Sequence, residues 1–318
     1  MTRIWVIGGT TFDVLTSGLA RLPEVDPAGD EFTDTSLVHL EEAPVQSVGG
    51  NGGNLAVTLA RLGAKTHLCT SLGDDALGRS LVAWLEEAGC ELSLLPPRQT
   101  SFNFVATDVE GRRRSFFFPV ALDTGSALKL LDRTRFDTGD HLALAGYPHP
   151  SPIVLASWAE RARAAGATVS LDICPVTARF SLSSLVPLLP HLDILFCNQR
   201  ELAALDTEQD PRRLTDYLSR DSGVGLVLKR GPAGAAFFGG DERIEVPAHP
   251  SNARITVGAG DSFDAGFIYS KYRQGVAAEV SLRFASALVA HVLEKGRGVS
   301  GAPTAAEVRL FQETHNGQ

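Results

Sequence analysis

Short apolar runs alternate with amphipathic helical segments along most of this 318-residue chain. Residues 3–7 read as a buried strand that ends at two glycines, and residues 74–88 have helical spacing before Gly89. The same alternation continues through the strand candidate 168–172 and the helical segment 277–295. Strands that alternate with helices favour a parallel sheet covered on both faces. The sequence therefore predicts an α/β fold with a mainly parallel, doubly wound sheet.

Two stretches interrupt this alternation. Residues 30–48 are acidic and strand-like, and residues 101–120 form a hairpin pattern around a turn at 109–112. We expect both to be antiparallel and to form a small β element laid across one edge of the main sheet. No linker separates two consecutive halves. The expected organisation is one α/β domain, residues 1–13, 49–100 and 121–318, with a β lid made of residues 14–48 and 101–120.

Composition restricts the partners and the compartment. Lys and Arg number 29 against 37 Asp and Glu, a formal charge of −8, which disfavours a nucleic-acid binder that covers phosphates with basic side chains. No apolar run is long enough to span a membrane, the four cysteines form no Cys-x-x-Cys pair, and the eight histidines show no metal-ligand spacing. We expect a reduced, cytoplasmic protein without zinc and without nucleic-acid or membrane partners.

The most informative segment is TVGAGDSFDAGF at residues 256–267. Gly258, Ala259 and Gly260 lead into a helical pattern, so several backbone N–H groups at a helix start could converge on one anion. Asp261 is an unusual residue beside an anion. It is explained if its carboxylate takes a proton from a hydroxyl that attacks a phosphoryl group. The alternative is that Asp261 only caps the helix behind a tight turn.

A second glycine-rich loop, GGNGGN at residues 49–54, also opens a helix. Gly50 and the other glycines of this loop allow a ligand to approach the backbone closely. The side-chain amides of Asn51 and Asn54 can donate to and accept from sugar hydroxyls. The alternative is a tight strand–helix connection with Asn caps. Asp13, in the GGTTFD segment after the first strand, is open to both interpretations, as a turn residue or a ligand contact.

Two later loops follow predicted strands at the edge where open α/β sheets bind ligands. Asn198 and Glu201 either form a capping box or contact Mg²⁺ or phosphate through water. Residues 229–234, KRGPAG, form either a plain turn or a loop that contacts a nucleotide. Neither the dinucleotide fingerprint nor the P-loop spacing is present.

The order of these segments resembles the ribokinase-like (PfkB) carbohydrate kinase family along almost the whole chain. GGTTFD, GGNGGN, SLGDDALG, CNQREL, KRGPAG and TVGAGDSFDAGF occur in the family's order and at about its spacing. The resemblance implies a ribokinase-like three-layer α/β sandwich with a mainly parallel central sheet and a small β lid over the sugar. It also implies an ATP- and Mg²⁺-dependent kinase.

The resemblance implies specific roles. Asp261 would be the catalytic base that prepares a primary hydroxyl for in-line attack on ATP, and the backbone of Gly258, Ala259 and Gly260 would be the anion hole. The implied acceptor contacts are Asp13, Gly50, Asn51 and Asn54. The implied nucleotide contacts are Asn198, Lys229, Gly231, Gly234 and Ser286, with Glu201 reaching Mg²⁺ through water.

The chain departs from the family pattern at three places. Ile255 stands where many members have an Asp that helps to bind a monovalent cation, so we expect little dependence on K⁺. Asn51 replaces a lysine frequent in ribokinases, and residues 144–148 (LAGYP) lack an acid, which leaves the acceptor open between a small sugar and a sugar acid.

Three further expectations follow from the resemblance. A nucleoside kinase of the same fold is one alternative, with lid aromatics such as Phe102, Phe104 and residues 116–118 stacking on a base. A catalytically silent sugar-binding regulator is the other. An exposed lid often pairs with its copy in this family, which implies a homodimer through the lid.

Overall fold

The computed structural model describes residues 2–19, 22, 40, 43–95, 99–120, 124–145, 151–173, 181–206, 210–251, 253 and 255–315. Cys174, residues 146–148 of the LAGYP segment and the acidic stretch 30–39 lie outside the described residues. The other cysteines are buried and free of disulfides. Within the described ranges no helix is long and apolar enough to cross a membrane.

Thirteen strands and ten helices make up the described fold. The strands are β1 (Arg3–Gly8), β2 (Thr11–Leu19), β3 (Val45–Gly49), β4 (Lys65–Ser71), β5 (Glu91–Leu95), β6 (Ser101–Asp108), β7 (Arg113–Phe118), β8 (His141–Ala145), β9 (Thr168–Asp172), β10 (Ile194–Asn198), β11 (Gly225–Lys229), β12 (Ala235–Gly239) and β13 (Glu242–Val246). The helices are α1 (Asn51–Arg61), α2 (Ala76–Glu87), α3 (Thr124–Arg133), α4 (Pro152–Ala164), α5 (Leu182–Leu185), α6 (Gln199–Leu205), α7 (Pro211–Asp216), α8 (Ala259–Ile268), α9 (Ala278–Lys295) and α10 (Ala305–His315).

The nine-stranded main sheet confirms the predicted doubly wound architecture. Its order is β13-β12-β11-β10-β9-β8-β1-β4-β5, parallel except for the antiparallel pairs β11–β12 and β12–β13. Neighbouring residues of β1 enter different cores: Ile4 and Val6 lie in one apolar cluster, and Trp5 and Ile7 lie in the other. This strand is therefore covered on both faces, as a central parallel strand must be.

The helices divide between these two cores. Buried residues of α1, α2, α8, α9 and α10 belong to the cluster that contains Ile4, whereas α3 to α7 contribute to the cluster that contains Trp5. Helix α8 begins at Ala259, earlier than the predicted start at residue 262. It is followed by a π-helical turn at Tyr269–Arg273, which replaces the end of the predicted helix 262–274.

The second sheet has four strands in the order β3-β2-β6-β7. The pairs β2–β3 and β6–β7 are antiparallel, as expected for the two interrupting stretches, whereas β2 and β6, which join them into one sheet, run parallel. The reason is topological: both β2 and β6 leave the main sheet at its carboxyl edge in the same direction. Strand β2 begins at Thr11, inside the segment we had expected to belong to the main domain.

Phe12 fastens this second sheet to the main domain. Its ring lies 5.2 Å from that of Trp84 on α2, and Val48 on the neighbouring strand is buried in the same core. The edge strand β7 lacks this cover on the same face, which we call the outer face of the lid, and its Phe116 and Phe118 are 44% and 48% exposed.

Close backbone contact fixes the start of α1 against β1. A β-carbon at Gly52 would lie 2.6 Å from the carbonyl carbon of Gly8, and one at Gly8 would lie 2.5 Å from the carbonyl oxygen of Ala145. Only glycine fits such distances, because neighbouring backbone cannot move aside as a side chain can. The GGNGGN loop is therefore held directly on the end of the main sheet.

We expect Gly52→Ala to lower the free energy of unfolding by about 1–3 kcal/mol, because the added carbon overlaps backbone. Gly53→Ala is the matched control. Its β-carbon would meet side-chain atoms of Val48 and Thr10 at 2.8 and 3.0 Å, which have more freedom to shift. Urea unfolding of both variants measures the difference, and equal stability would contradict the importance of this backbone contact.

Candidate active site

Four parallel strands end together at one edge of the main sheet. Gly8, Asp172, Asn198 and Lys229 are the last residues of β1, β9, β10 and β11. Ligands of open α/β sheets bind outside this edge. The start of α8 and the GGNGGN loop are joined at this candidate site by hydrogen bonds from Asn51 and Asn54 to Asp261.

The start of α8 differs from the cap that the sequence suggested. Gly258 is the N-cap, with a left-handed φ of 79°, and Asp261 lies in the first turn instead of capping it. Its carboxylate accepts no hydrogen bond from the helix backbone within the described residues, and it engages another segment instead. The interpretation of Asp261 as a mere N-cap was therefore wrong.

Two asparagine amides hold the carboxylate of Asp261. Asn51 Nδ2 donates to Oδ1 and Asn54 Nδ2 donates to Oδ2, both at 2.7 Å. Asn54 is only 5% exposed, and a β-carbon on Gly258 would lie 3.3 Å from its Nδ2. The GGNGGN loop is thus both a tight strand–helix connection and the clamp that orients Asp261.

The surroundings adjust the proton affinity of Asp261. Burial, together with the charge of Asp172, raises the pKa of its carboxyl to about 6, while Asn54, Lys229 and Asn51 pull it down. At pH 7 the carboxylate is mostly ionised but close enough to its pKa to accept a proton readily.

Asp13 faces the same region from β2. It is 2% exposed and accepts a 2.5 Å hydrogen bond from Thr11 Oγ1. Its carboxyl occupies the space that a β-carbon at Gly49 would fill. Burial raises the pKa of Asp13 to about 6, with a further contribution from Asp261, against the lowering effect of hydrogen bonds from Thr11 and Asn103. Asp13 is therefore a buried strand residue close to Asp261 and not a turn residue.

Asn103 is a site residue that the sequence reasoning missed. It pairs with Asp13 across β2 and β6, and its Oδ1 is buried without a hydrogen-bond partner in the described part of the chain. A buried acceptor without a partner is expensive in free energy unless a ligand completes it. The signal in the sequence was an amide between two aromatic residues, Phe102 and Phe104.

The expected anion hole has open N–H groups. The N–H of Ala259 donates to the carbonyl of Thr256 at 3.3 Å, whereas those of Gly258, Gly260 and Asp261 have no acceptor among the described residues. Unpaired N–H groups at a helix start provide a positive end for an anion. The side-chain contacts of Asp261 leave these groups accessible.

Asn198 and Glu201 form the capping box predicted as one alternative. Asn198 Oδ1 accepts from the N–H groups of Arg200 and Glu201, and Glu201 Oε2 accepts from the N–H of Asn198 at 2.7 Å. Burial, with the nearby charge of Asp172, raises the pKa of Glu201 to about 7. Capping leaves the second carboxylate oxygen of Glu201 available to a ligand.

Lys229 makes a contact that the loop interpretation did not foresee. Its Nζ donates to Asp172 Oδ1 at 2.9 Å and to Asp264 Oδ2 at 2.8 Å. Burial opposes the charge of Lys229, yet Asp172, Asp264 and Glu201 raise the pKa of the ammonium well above its usual value. Burial also raises the pKa of Asp264, but the short contact with Nζ favours the ion pair. Asp172 and Asp264 were missed because their partner is distant in sequence.

The remaining nucleotide candidates lie toward β12, β13 and α9. Ser286 Oγ donates to the carbonyl of Pro247 at 3.1 Å, and Gly234 is required because a β-carbon there would overlap the carbonyl of Val246. Gly231 borders open space. No described contact joins these three residues to Asp261, so they form a separate part of the candidate site.

The donor set fits a magnesium ion carried by nucleotide phosphates better than one caged by protein. No three His, Cys, Asp or Glu side chains group as metal ligands in the described ranges. The capping box uses only Oε2 of Glu201, and its other carboxylate oxygen suits Mg²⁺ or one of its water ligands. A bound magnesium ion would neutralise phosphate charge.

Sequence comparison places the chain beside carbohydrate kinases. The model described as "pfkB family carbohydrate kinase" matches residues 24–305. An ATP-dependent ribose-1-phosphate kinase from Halopiger xanaduensis is 31% identical over 316 residues, 98% of this chain and 98% of that protein. A nucleoside kinase from Methanothermobacter thermautotrophicus is 27% identical over 293 residues, 85% of this chain and 90% of that protein.

Solved structures share the fold. Phosphofructokinase-2 from Escherichia coli superposes with a TM-score of 0.78 at 21% identity over 99% of both chains. Ribokinase from Thermotoga maritima superposes with a TM-score of 0.76 at 22% identity over 98% of this chain and 100% of that chain. The predicted ribokinase-like α/β fold with a smaller sheet is confirmed.

We expect Asn51→Ala to raise the pKa of Asp261 above about 6, by roughly one unit, because a hydrogen bond to the charged form is lost. NMR titration of ¹³C-labelled aspartate carboxyls measures it, with Asp261→Asn identifying the resonance. Asn103→Ala is the control, since it removes a donor to Asp13 instead. An unchanged pKa of Asp261 in Asn51→Ala would contradict the clamp.

Proposed function

The chain belongs to the pfkB family of carbohydrate kinases, and we propose that it phosphorylates a primary hydroxyl of a small sugar or sugar acid with ATP. Within this proposal Asp261 is the catalytic base and the first turn of α8 is the anion hole. The observation that carries it is the clamped carboxylate of Asp261 beside N–H groups at that helix start that have no acceptor in the described part of the chain.

The geometry supports a single-step transfer. Asp261 takes the proton of the acceptor hydroxyl as its oxygen forms a bond to the γ-phosphorus, and the bond between that phosphorus and the β–γ bridging oxygen breaks to release ADP. The N–H groups of Gly258, Gly260 and Asp261 stabilise charge on the transferred group. The pKa of about 6 leaves Asp261 ionised and able to act as a base at neutral pH.

ATP and Mg²⁺ are the proposed donor and cofactor. Gly231 borders open space, which suits a loop that approaches a nucleotide, and Glu201 offers a carboxylate to the metal through water. Asn198, Gly234 and Ser286 instead hold the local backbone, so we propose that they shape the nucleotide side without supplying free side-chain donors.

The acceptor would lie between Asp13 and Asp261. Asp13, Gly50, Asn51 and Asn54 remain the proposed contacts to it, and we add Asn103, whose free Oδ1 would accept from a sugar hydroxyl. The names of the relatives give the order in which acceptors should be tried: ribose 1-phosphate, a 5-dehydro-2-deoxygluconate-type sugar acid, fructose and ribose.

A nucleoside is the second candidate acceptor. Phe117 is opposite Asn103, which is opposite Asp13, so cross-strand register puts the aromatic residue and both polar residues on one face of the lid. An aromatic ring on that face suits stacking with a base. The similarity to a relative named nucleoside kinase also supports a nucleoside as the acceptor.

The exposed outer face of the lid supports the proposed homodimer. Phe116 and Phe118 present apolar surface at adjacent same-face positions of β7, where a second copy of the lid would cover them. We keep this contact as a proposal about assembly, separate from the chemistry.

The function is tested by a coupled assay of ADP release over sugars, sugar phosphates, sugar acids and nucleosides. Saturable release with a sugar or sugar acid is the expected result. A much higher kcat/KM with nucleosides would favour the second candidate. Binding of sugars without ADP release from any acceptor would overturn the kinase proposal in favour of a silent regulator.

Asp261→Asn should lower kcat by about 10³-fold or more while the affinities for ATP and acceptor stay within a few fold, because only the transition state needs the base. Steady-state kinetics and calorimetric binding measure both. Asp132→Asn, a largely exposed carboxyl, is the control. Turnover near the parental level in Asp261→Asn would remove this residue from the role of base.

Added K⁺ should change the rate little, because the hydrocarbon side chain of Ile255 offers no ligand to a cation. The assay titrates KCl against choline chloride at constant ionic strength, so that general salt effects cancel. A large and saturable rise in rate with KCl would contradict the expectation and would indicate backbone carbonyl ligands.

A further inference from the structure

A lysine held by two aspartates lies beside the start of α8. Lys229, at the end of β11, bridges Asp172 at the end of β9 and Asp264 in α8. Two short contacts to different carboxylates restrict the rotation of the ammonium. Three separate elements thus fix the position of one positive charge.

This triad is open on one side. The side chain of Lys229 is 14% exposed, against 8% for Asp172 and 3% for Asp264, so the lysine is its most accessible member. An ammonium has three N–H donors, and within the described ranges only two find an acceptor. The third remains for a ligand.

The opening adjoins the anion hole. A β-carbon on Gly260 would lie 3.7 Å from Nζ of Lys229, and because Gly260 has none, no side chain separates the ammonium from the first turn of α8. The unpaired N–H groups of Gly260 and Asp261 belong to this turn. An anion bound there would meet backbone donors and the ammonium together.

Stability alone gives a weak account of this arrangement. A buried ion pair adds little net stability after desolvation, and here two carboxylates compete for one cation. Asp264 Oδ1 also has no hydrogen-bond partner among the residues that the structure describes, so the triad is not optimised as a closed structural unit. Holding a charge at one place is a better explanation for two carboxylates around one lysine.

We propose that the ammonium of Lys229 donates directly to the phosphoryl group during its transfer, and that Asp172 and Asp264 are positioning residues for it. This inference rests on the proposed kinase function and extends it. Lys229 keeps all its protons throughout: the acceptor proton still goes to Asp261, and the phosphoryl group still passes from ATP to the acceptor oxygen. Lys229 contributes charge stabilisation where negative charge develops.

The test compares wild type, Lys229→Met, Asp264→Asn and the double variant Lys229→Met/Asp264→Asn. Lys229→Met alone leaves two buried carboxylates without their cation and is expected to be less stable. The double variant removes one of these charges and should recover much of the lost thermal stability. Lys65→Met is the control, since Lys65 forms only an exposed ion pair with Glu91.

In the double variant, kcat should remain about 10²–10³-fold below wild type although stability is recovered. Calorimetry should show ADP affinity within a few fold of wild type and affinity for ADP with aluminium fluoride, a mimic of the transferring group, reduced by a factor similar to that in kcat. Asp264→Asn, which keeps the lysine, should lose a smaller part of both.

Three other outcomes would each contradict a specific part of the proposed role of Lys229. Recovery of kcat together with stability in the double variant would show a structural role only. A raised KM for ATP with unchanged kcat would place Lys229 on the ground-state nucleotide instead of the transferred group. Wild type that turns over no acceptor, yet binds ADP, would overturn the kinase proposal itself and this role with it.

Discussion

Two hydrogen bonds from asparagine amides to one carboxylate determine how the segments of this site are arranged. Asn51 and Asn54 on α1 hold both oxygens of Asp261 on α8, which brings together segments more than 200 residues apart in sequence. The contact is possible only because glycines let α1 approach the end of β1 and let α8 begin in a left-handed conformation at Gly258. One interaction therefore positions the GGNGGN loop, the start of α8 and the candidate base relative to one another.

The candidate site contains several buried carboxylates, and each of them accepts hydrogen bonds that offset the cost of burying its charge. Asp13 accepts from Thr11 and Asn103, Asp261 from two amides, and Glu201 from the N–H of Asn198. Buried carboxylates without such partners would be strongly destabilising. The partners leave the open N–H groups of α8 and the ammonium of Lys229 as the positive features for phosphate. This agrees with the proposal that a chain of net charge −8 binds phosphate at one local place.

Local sequence patterns predicted the features that depend on local physics. Apolar periodicity gave the alternation of strands and helices, and the Asn198–Glu201 spacing gave the capping box. Strand β5 and helix α3 were not anticipated, because β5 is an edge strand with half-exposed positions and α3 has much of its surface in solvent. The parallel pairing of β2 with β6 depends on the path of the chain between them, which periodicity does not reveal.

The site residues that could not be predicted from the sequence are those whose role depends on contacts between distant segments. Asp261 and Asn51 could be singled out from their glycine-rich loops, but their direct contact could not. Asp172 and Asp264 look like ordinary polar residues at a strand end and on a helix until Lys229, 57 and 35 residues away, is placed between them.

The central claim is that Asp261 is the base of a phosphoryl transfer. The most direct measurement is a crystal structure with a non-hydrolysable ATP analogue and the acceptor found by the ADP-release assay. We expect the acceptor hydroxyl at about 2.6–3.2 Å from a carboxylate oxygen of Asp261, with the γ-phosphate on the first turn of α8. An acceptor hydroxyl beside Asp13 or Glu201, and out of reach of Asp261, would contradict it.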